Sequence, residues 1–167
     1  RPYAFVMSKG TVAPHTLVER EAENLHSSAA NLEISPEPLS CIVSREQALR
    51  RIIEHTNNDT DVVIATTGFT GRELFAIADR NNQLYMVGSM GCASSLGLGL
   101  AKARPDLHVT VIDGDGASMM RMGNLTTVGA YGEGNLTHII LDNEAHDSTG
   151  AQHTVSRGVN FSAIAAA

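Results

Sequence analysis

Val109-Thr110-Val111-Ile112-Asp113-Gly114-Asp115-Gly116 is a β-branched run that ends in two acids, each followed by a glycine. A run of this kind suits a strand covered on both faces, and the glycine-rich turn after it hands the chain to a helix. Working outward, the same unit recurs. Upstream, Val62-Val63-Ile64-Ala65 turns at Thr66-Thr67-Gly68, and Leu84-Tyr85-Met86-Val87 ends at Gly88-Ser89-Met90-Gly91. Downstream, His138-Ile139-Ile140-Leu141 runs into Asp142-Asn143. Helices are expected between the strands at Glu73 to Ala78, at Ser94 to Ala103 before Pro105, and at about Met119 to Tyr131. Ser44, with Glu46 and Gln47 after it, resembles a helix start, and Ala48, Leu49, Ile52 and Ile53 form its apolar stripe. Strand and helix alternating over short links predict an α/β fold: a parallel sheet with helices on both faces and ligands at the carboxyl ends of its strands.

The segments just past the strands carry the polar chemistry. Thr67-Gly68, Gly88-Ser89-Met90-Gly91, Asp113-Gly114-Asp115-Gly116 and Asp142-Asn143 all fall along one edge of the sheet. Gly114 and Gly116 bracket Asp115 just before a helix, so backbone amides and the positive helix end can face a phosphate. The Asp115 carboxylate, expected to stand as a solvent-facing loop group, can face a metal. Mg²⁺ bridged to a diphosphate fits both halves, since it takes near-octahedral oxygen ligands from a carboxylate, an amide, a main-chain carbonyl, phosphates and water. Asp115 and Asn143 provide the first two. Thr67 and Gly68 either contact the diphosphate or simply turn the chain.

Gly114-Asp115-Gly116, with Asn143 following 28 residues after Asp115, resembles the Gly-Asp-Gly to Asn-Asn motif of thiamine diphosphate (ThDP) enzymes. Asp142 departs from that motif, which usually has Asn there, while Asn143 keeps the position of the metal ligand. The resemblance implies a third ligand in the main-chain carbonyl of Ala145. It also implies that Met90 wedges the cofactor into a bent shape, that the Gly88 carbonyl accepts from its 4'-amino group, and that the Met90 amide donates to its pyrimidine. Ser89 and Ala117 count among the implied cofactor contacts, with Gly114 and Gly116.

Within these enzymes, Asp115 to Gly123 and Leu141 to Gly150 resemble the phosphonopyruvate decarboxylase group and its relative sulfopyruvate decarboxylase. The likeness extends over most of residues 44–161. It implies loss of CO₂ from a 2-oxo acid, phosphonopyruvate giving phosphonoacetaldehyde, with the cofactor's cationic ring accepting the electrons. It further implies a pyrimidine-binding domain, on the same or a partner chain, carrying a glutamate that Glu144 does not replace. A dimer or larger homo-oligomer follows from a cofactor held between two domains. His146, Asp147, Ser148 and Thr149 have two readings: His146 in proton transfer with the hydroxyls on an anionic substrate, or all four ordering the loop.

Composition excludes other classes. With 167 residues and 43% hydrophobic content, the chain has apolar material for one domain and tails. The net charge is −6 and the 12 Lys and Arg residues are scattered, so the footprint of a nucleic-acid binder is missing. No run reaches the roughly 18 to 20 apolar residues that cross a bilayer, and Arg1-Pro2-Tyr3 lacks a secretory pattern, so a soluble cytoplasmic protein is expected. Cys41 and Cys92 read as reduced and structural. The ends predict a fragment. Residues 1–43 are expected to be the end of a preceding domain and a linker, with an edge strand at Tyr3 to Met7, and 44–167 the diphosphate-binding domain, truncated in a helix just begun at Ala163. The alternatives are a sulfopyruvate decarboxylase and a non-catalytic cofactor-binding subunit. A Rossmann dinucleotide domain is disfavoured because no Gly-x-Gly-x-x-Gly follows the first strand.

Overall fold

The structure, a computed structural model, describes residues 43–166. The expected strand at Tyr3 to Met7, the linker before Ser44 and Cys41 lie outside the described residues. The chain runs α1 (Arg45–Glu54), β1 (Asp61–Ala65), α2 (Phe69–Ile77), β2 (Gln83–Tyr85), α3 (Ala93–Ala103), β3 (His108–Gly114), α4 (Asp115–Met120), α5 (Asn124–Tyr131) and β4 (Leu136–Leu141). A small antiparallel hairpin, β5 (Ala145–His146) and β6 (Gln152–His153), and a last helix α6 (Phe161–Ala166) complete it. The main sheet is parallel in the order β2-β1-β3-β4.

Alternation along the strands assigns the two faces, because successive side chains point to opposite sides. Val63, Ala65 and Ile112 pack with Leu49 and Ile53 of α1 and Leu74 of α2. Ile64, Val109 and Val111 pack on the other face with Ala93 and Ala101 of α3. Helices therefore cover both faces of the sheet. The approach of α3 is close: a Cβ on Gly97 would lie 2.3 Å from Val111 Cγ2. Helix α1 starts as its sequence suggests, in a capping box where Gln47 N–H donates to Ser44 Oγ at 3.2 Å and Ser44 N–H to Gln47 Oε1 at 3.1 Å.

Three elements differ from expectation. Helix α2 begins at Phe69 rather than Glu73, on Gly68 with φ 94°, so its first turn carries no apolar periodicity to read. Phe69 there lies beneath two guanidinium groups, those of Arg45 at 5.5 Å and Arg72 at 5.6 Å from the ring centre. The single helix expected over Met119 to Tyr131 is two, α4 and α5, separated by Arg121–Gly123. Asn124 Nδ2, at the start of α5, donates to Ser94 Oγ of α3 at 2.8 Å and sets the new direction. Strand β2 stops at Tyr85, and Val87 beyond it is 82% exposed.

Candidate functional site

The connections after β1 and β3 run to opposite sides of the sheet, β1 through α2 to β2 and β3 through α4 and α5 to β4. Adjacent strands whose chains diverge leave a crevice between their carboxyl ends, where ligands bind in open α/β sheets. A cavity of about 640 Å³ lies there. Its lining includes Thr66, Thr67 and Gly68 after β1, Gly114 to Ala117 after β3, Leu141 to Asn143 after β4, and Ala145 to Ser148. Met90 reaches it from the β2 side. Gly88 (φ 77°) and Gly91 (φ 81°) hold left-handed backbone on either side of Met90.

Of the residues singled out from sequence, Thr67, Gly68, Met90, Gly114, Asp115, Gly116, Ala117, Asn143, Ala145 and His146 converge on this cavity. Gly88 and Ser89 are exposed and do not line it. Asp115 needs a correction. It is the first residue of α4 and only 2% exposed, not a solvent-facing loop carboxylate, because β3 continues through Gly114 and delivers it into the wall. Helix α4 has six residues, so an anion beside Gly114 and Gly116 meets a few free amides rather than a long macrodipole.

The two acid-amide positions are held differently. Thr154 Oγ donates to Asp115 Oδ2. Asn143 Nδ2 donates to Asp147 Oδ2 at 2.8 Å, and Asn143 Oδ1 accepts the Ala145 N–H at 3.3 Å. Asp147 also accepts from Arg45 Nη1 at 3.1 Å, and Arg45 grips Glu73 of α2 through Nε at 3.0 Å and Nη2 at 2.7 Å. The hydrogen bond to Glu73 raises the Arg45 pKa above its ordinary value, burial opposes it, and Asp147 adds to the rise. Arg45 thus stays charged and links α1, α2 and the 145–149 segment. Asp147, and Thr149 through its hydroxyl bond to the His146 carbonyl at 3.3 Å, make bonds of the kind that order a loop. His146 does not. Its ring stands over Gly116, where a Cβ would fall 2.5 Å from His146 Cε1 and 3.3 Å from Met90 Cε.

The donor set fits a hard cation beside a phosphate. Asp115 and Asn143 bring a carboxylate and an amide to one cavity, the Cβ-free Gly116 leaves room beside Met90 and His146, and Thr66 Oγ1 on the same wall is a buried hydroxyl without a hydrogen-bond partner among the described residues. Among the described residues no three His, Cys, Asp or Glu side chains gather as a metal centre, so a cation here would draw its further ligands from main-chain carbonyls, water or a bound anion. Thr66, Arg45 and Thr154 were not singled out from sequence. Thr66 carried a signal in the Thr-Thr-Gly turn; Arg45 and Thr154 act through bonds to residues far along the chain, which leave no local pattern.

Residues 66–166 match the family described as thiamine pyrophosphate enzyme, C-terminal TPP binding domain. The chain is 42% identical to a phosphonopyruvate decarboxylase of Streptomyces hygroscopicus over 166 residues, 99% of this chain and 41% of that protein. It is 40% identical over 124 residues to a sulfopyruvate decarboxylase subunit beta of Methanothermobacter thermautotrophicus, covering 74% of this chain and 65% of that subunit. An X-ray structure from Mycobacterium smegmatis, assigned as a thiamin diphosphate-dependent enzyme, superposes with a TM-score of 0.59 at 19% identity, covering 74% of this chain and 25% of that one, and shares the fold. The chain spans about two fifths of the length of the Streptomyces relatives it matches. It belongs to the thiamine pyrophosphate enzymes, and the cavity at the carboxyl ends of β1 and β3 lies within its TPP-binding domain.

Proposed function

We propose that this chain supplies the diphosphate-binding half of a ThDP- and Mg²⁺-dependent 2-oxo acid decarboxylase, whose preferred substrate is phosphonopyruvate, released as phosphonoacetaldehyde and CO₂. The observation that supports it most is the placing of Asp115 and Asn143, from adjacent strands, on one cavity at the switch point. Asp115, Asn143 and the Ala145 carbonyl would hold Mg²⁺; Gly114, Gly116, Ala117, Thr67 and Gly68 would receive the diphosphate. ThDP, when bound, supplies the electron sink for loss of CO₂. Met90 lines the cavity beside Gly116, and its loss should slow turnover while leaving the diphosphate anchored. His146, against Gly116 on the same cavity, can hold or transfer a proton through its imidazole. A pyrimidine-binding domain from the same or a partner chain completes the site in a cytoplasmic homo-oligomer.

A second reading has its own support: three of the sulfopyruvate decarboxylase relatives are named as subunit beta, a name that fits a chain working with a separate partner. The test is CO₂ release by the full-length protein given phosphonopyruvate, sulfopyruvate and pyruvate, each with and without ThDP and Mg²⁺. Turnover fastest with phosphonopyruvate and dependent on both additions is expected. Preference for sulfopyruvate would move the substrate assignment, and no cofactor-dependent release with any of the three would favour a non-catalytic subunit.

A further inference from the structure

Beyond the ligands, the segment after the β5–β6 hairpin places two hydroxyls directly behind the acidic residues of the site. Ala145 pairs with His153 across the hairpin, and the Thr154 N–H donates to the Glu144 carbonyl at 2.9 Å, so the return strand is fixed to the 142–146 stretch by its backbone. Thr154 Oγ then meets Asp115 Oδ2, while Ser156 Oγ lies 2.8 Å from Asp142 Oδ1 and is 2% exposed. The two hydroxyl oxygens are 3.0 Å apart, and the Ser156 N–H donates to Thr154 Oγ at 3.3 Å.

Each hydroxyl has one proton. Asp142 has the Glu144 N–H in any case, but among the described residues Asp115 gains a donor only when the Thr154 proton points to it, and the Ser156 amide, filling an acceptor position on Thr154, is compatible with that direction while the Ser156 proton goes to Asp142. The direction of the Thr154 hydroxyl is thereby set by its neighbours. Its bond engages Oδ2 of Asp115 and leaves Oδ1 without a hydrogen bond among the described residues. A carboxylate pinned at one oxygen has its plane fixed, and the other oxygen presents a lone pair in a set direction. That matters for Mg²⁺ in particular, which tolerates little departure from octahedral geometry.

We propose that Thr154 is a positioning residue for the cation ligand Asp115, held in its working orientation by Ser156. The inference rests on the reading of Asp115 as a Mg²⁺ ligand. It also accounts for Asp142. Where the ThDP motif usually has Asn, the carboxylate here takes two donors, the Ser156 hydroxyl and the Glu144 N–H at 3.0 Å. The two acidic strand ends, after β3 and after β4, are thus joined through Thr154 and Ser156.

The test is cation binding to the full-length protein, with Mn²⁺ as the probe, followed by electron paramagnetic resonance in the presence of ThDP. Thr154→Val removes the hydroxyl at nearly constant shape, and Thr154→Ser restores it. Groups behind a metal ligand commonly govern affinity by about 10- to 100-fold. Thr154→Val should weaken Mn²⁺ binding by about that factor, Thr154→Ser should stay within about threefold of wild type, and the apparent KM for Mg²⁺ should rise in Thr154→Val with kcat at saturating Mg²⁺ largely kept. Circular dichroism and the Tm of each variant without cation separate a folding defect from a site defect. If the valine variant does not fold, Thr154→Ala takes its place. Unchanged Mn²⁺ affinity in a folded variant lacking the hydroxyl, or a serine variant as weak as valine, would overturn the proposal. Asp115→Asn is the reference: if wild type binds Mn²⁺ with ThDP and this variant does not, the ligand reading stands whatever Thr154 does. Wild type that binds no Mn²⁺ overturns both.

Discussion

The wall of the cavity made by β1 and β3 and the wall made by residues 142–156 are built on opposite principles. The first is delivered by central strands whose side chains are wholly buried, Val63, Ile64, Val111 and Ile112 among them, and the turns at its end inherit that rigidity. The second has almost no apolar support. It depends on left-handed residues at Glu144 and Ala151 (φ 58° each) and on side-chain bonds from Arg45, Asp147, Thr154 and Ser156. Apolar packing therefore fixes where the site is, and polar bonds fix the aim of what projects into it.

If that division holds, stability and cation binding respond to different substitutions. Leu74 of α2 is fully buried against the sheet and α1, so Leu74→Ala should lower stability by about 2–5 kcal/mol in urea unfolding. The folded fraction should bind Mn²⁺ as wild type does; a comparable fall in Mn²⁺ affinity would erase the distinction between the walls. Asp115→Asn should do the reverse. Cation-dependent ThDP binding, followed by calorimetry, should fall by about two orders of magnitude or more, since Mg²⁺ would lose its proposed charged ligand. The cation-free Tm should hold or rise, because a buried charge is exchanged for a neutral acceptor that still receives the Thr154 hydroxyl. A drop in Tm of the size seen for Leu74→Ala would show that Asp115 supports the fold as well.

Asp147→Ala tests the polar wall further from the ligand. It frees the Asn143 amide to turn and removes one of the two partners of Arg45, so about a tenfold loss of Mn²⁺ affinity is expected. Its ion pair with Arg45 is part exposed, 23% and 36%, and the stability change should be about 1 kcal/mol or less. Loss of stability without loss of affinity would invert the reading. The smallest effect belongs to Tyr85, on the edge strand and outside both walls. Burial first, and the hydrogen bond with Asp79 second, push its phenol up to about 12. Unfolded, it releases its proton near about 10, so between these values the unfolded chain holds fewer protons and stability falls as pH rises. Tyr85→Phe should lose that part of the slope in urea midpoints measured from pH 9 to 12; parallel curves would mean that the phenol is not held protonated by the fold.

The same division explains what could be read in advance. Val62 to Ala65 and Val109 to Ile112 announced buried strands because covering both faces demands apolar residues in sequence. Asp115 and Asn143 were readable as a pair, each standing at the end of a recognisable strand. The early start of α2 was hidden because Phe69-Thr70-Gly71-Arg72 has no helical stripe, its aromatic ring being covered by cations rather than by core. The break at Arg121–Gly123 was hidden because a single glycine, Gly123, is tolerated inside a helical pattern, and the new axis is set by Asn124 on Ser94. Thr154 reaches Asp115 across 39 positions, a separation over which no periodicity operates.

Gly114 pairs with Leu141 at the end of β3 and β4, one residue before Asp115 and two before Asn143. The bite between the two proposed ligands is therefore an alignment of strands. A slip of one residue would displace Asn143 by about 3.3 Å and turn its strand's side chains to the opposite face. Much of β4 is only half-buried, so a slipped pairing forfeits less apolar contact there than it would between β1 and β3. Mg²⁺ and diphosphate, by demanding both ligands at once, would select the correct alignment from its near neighbours during folding, and cofactor added before refolding should raise the yield of protein with the native pairing.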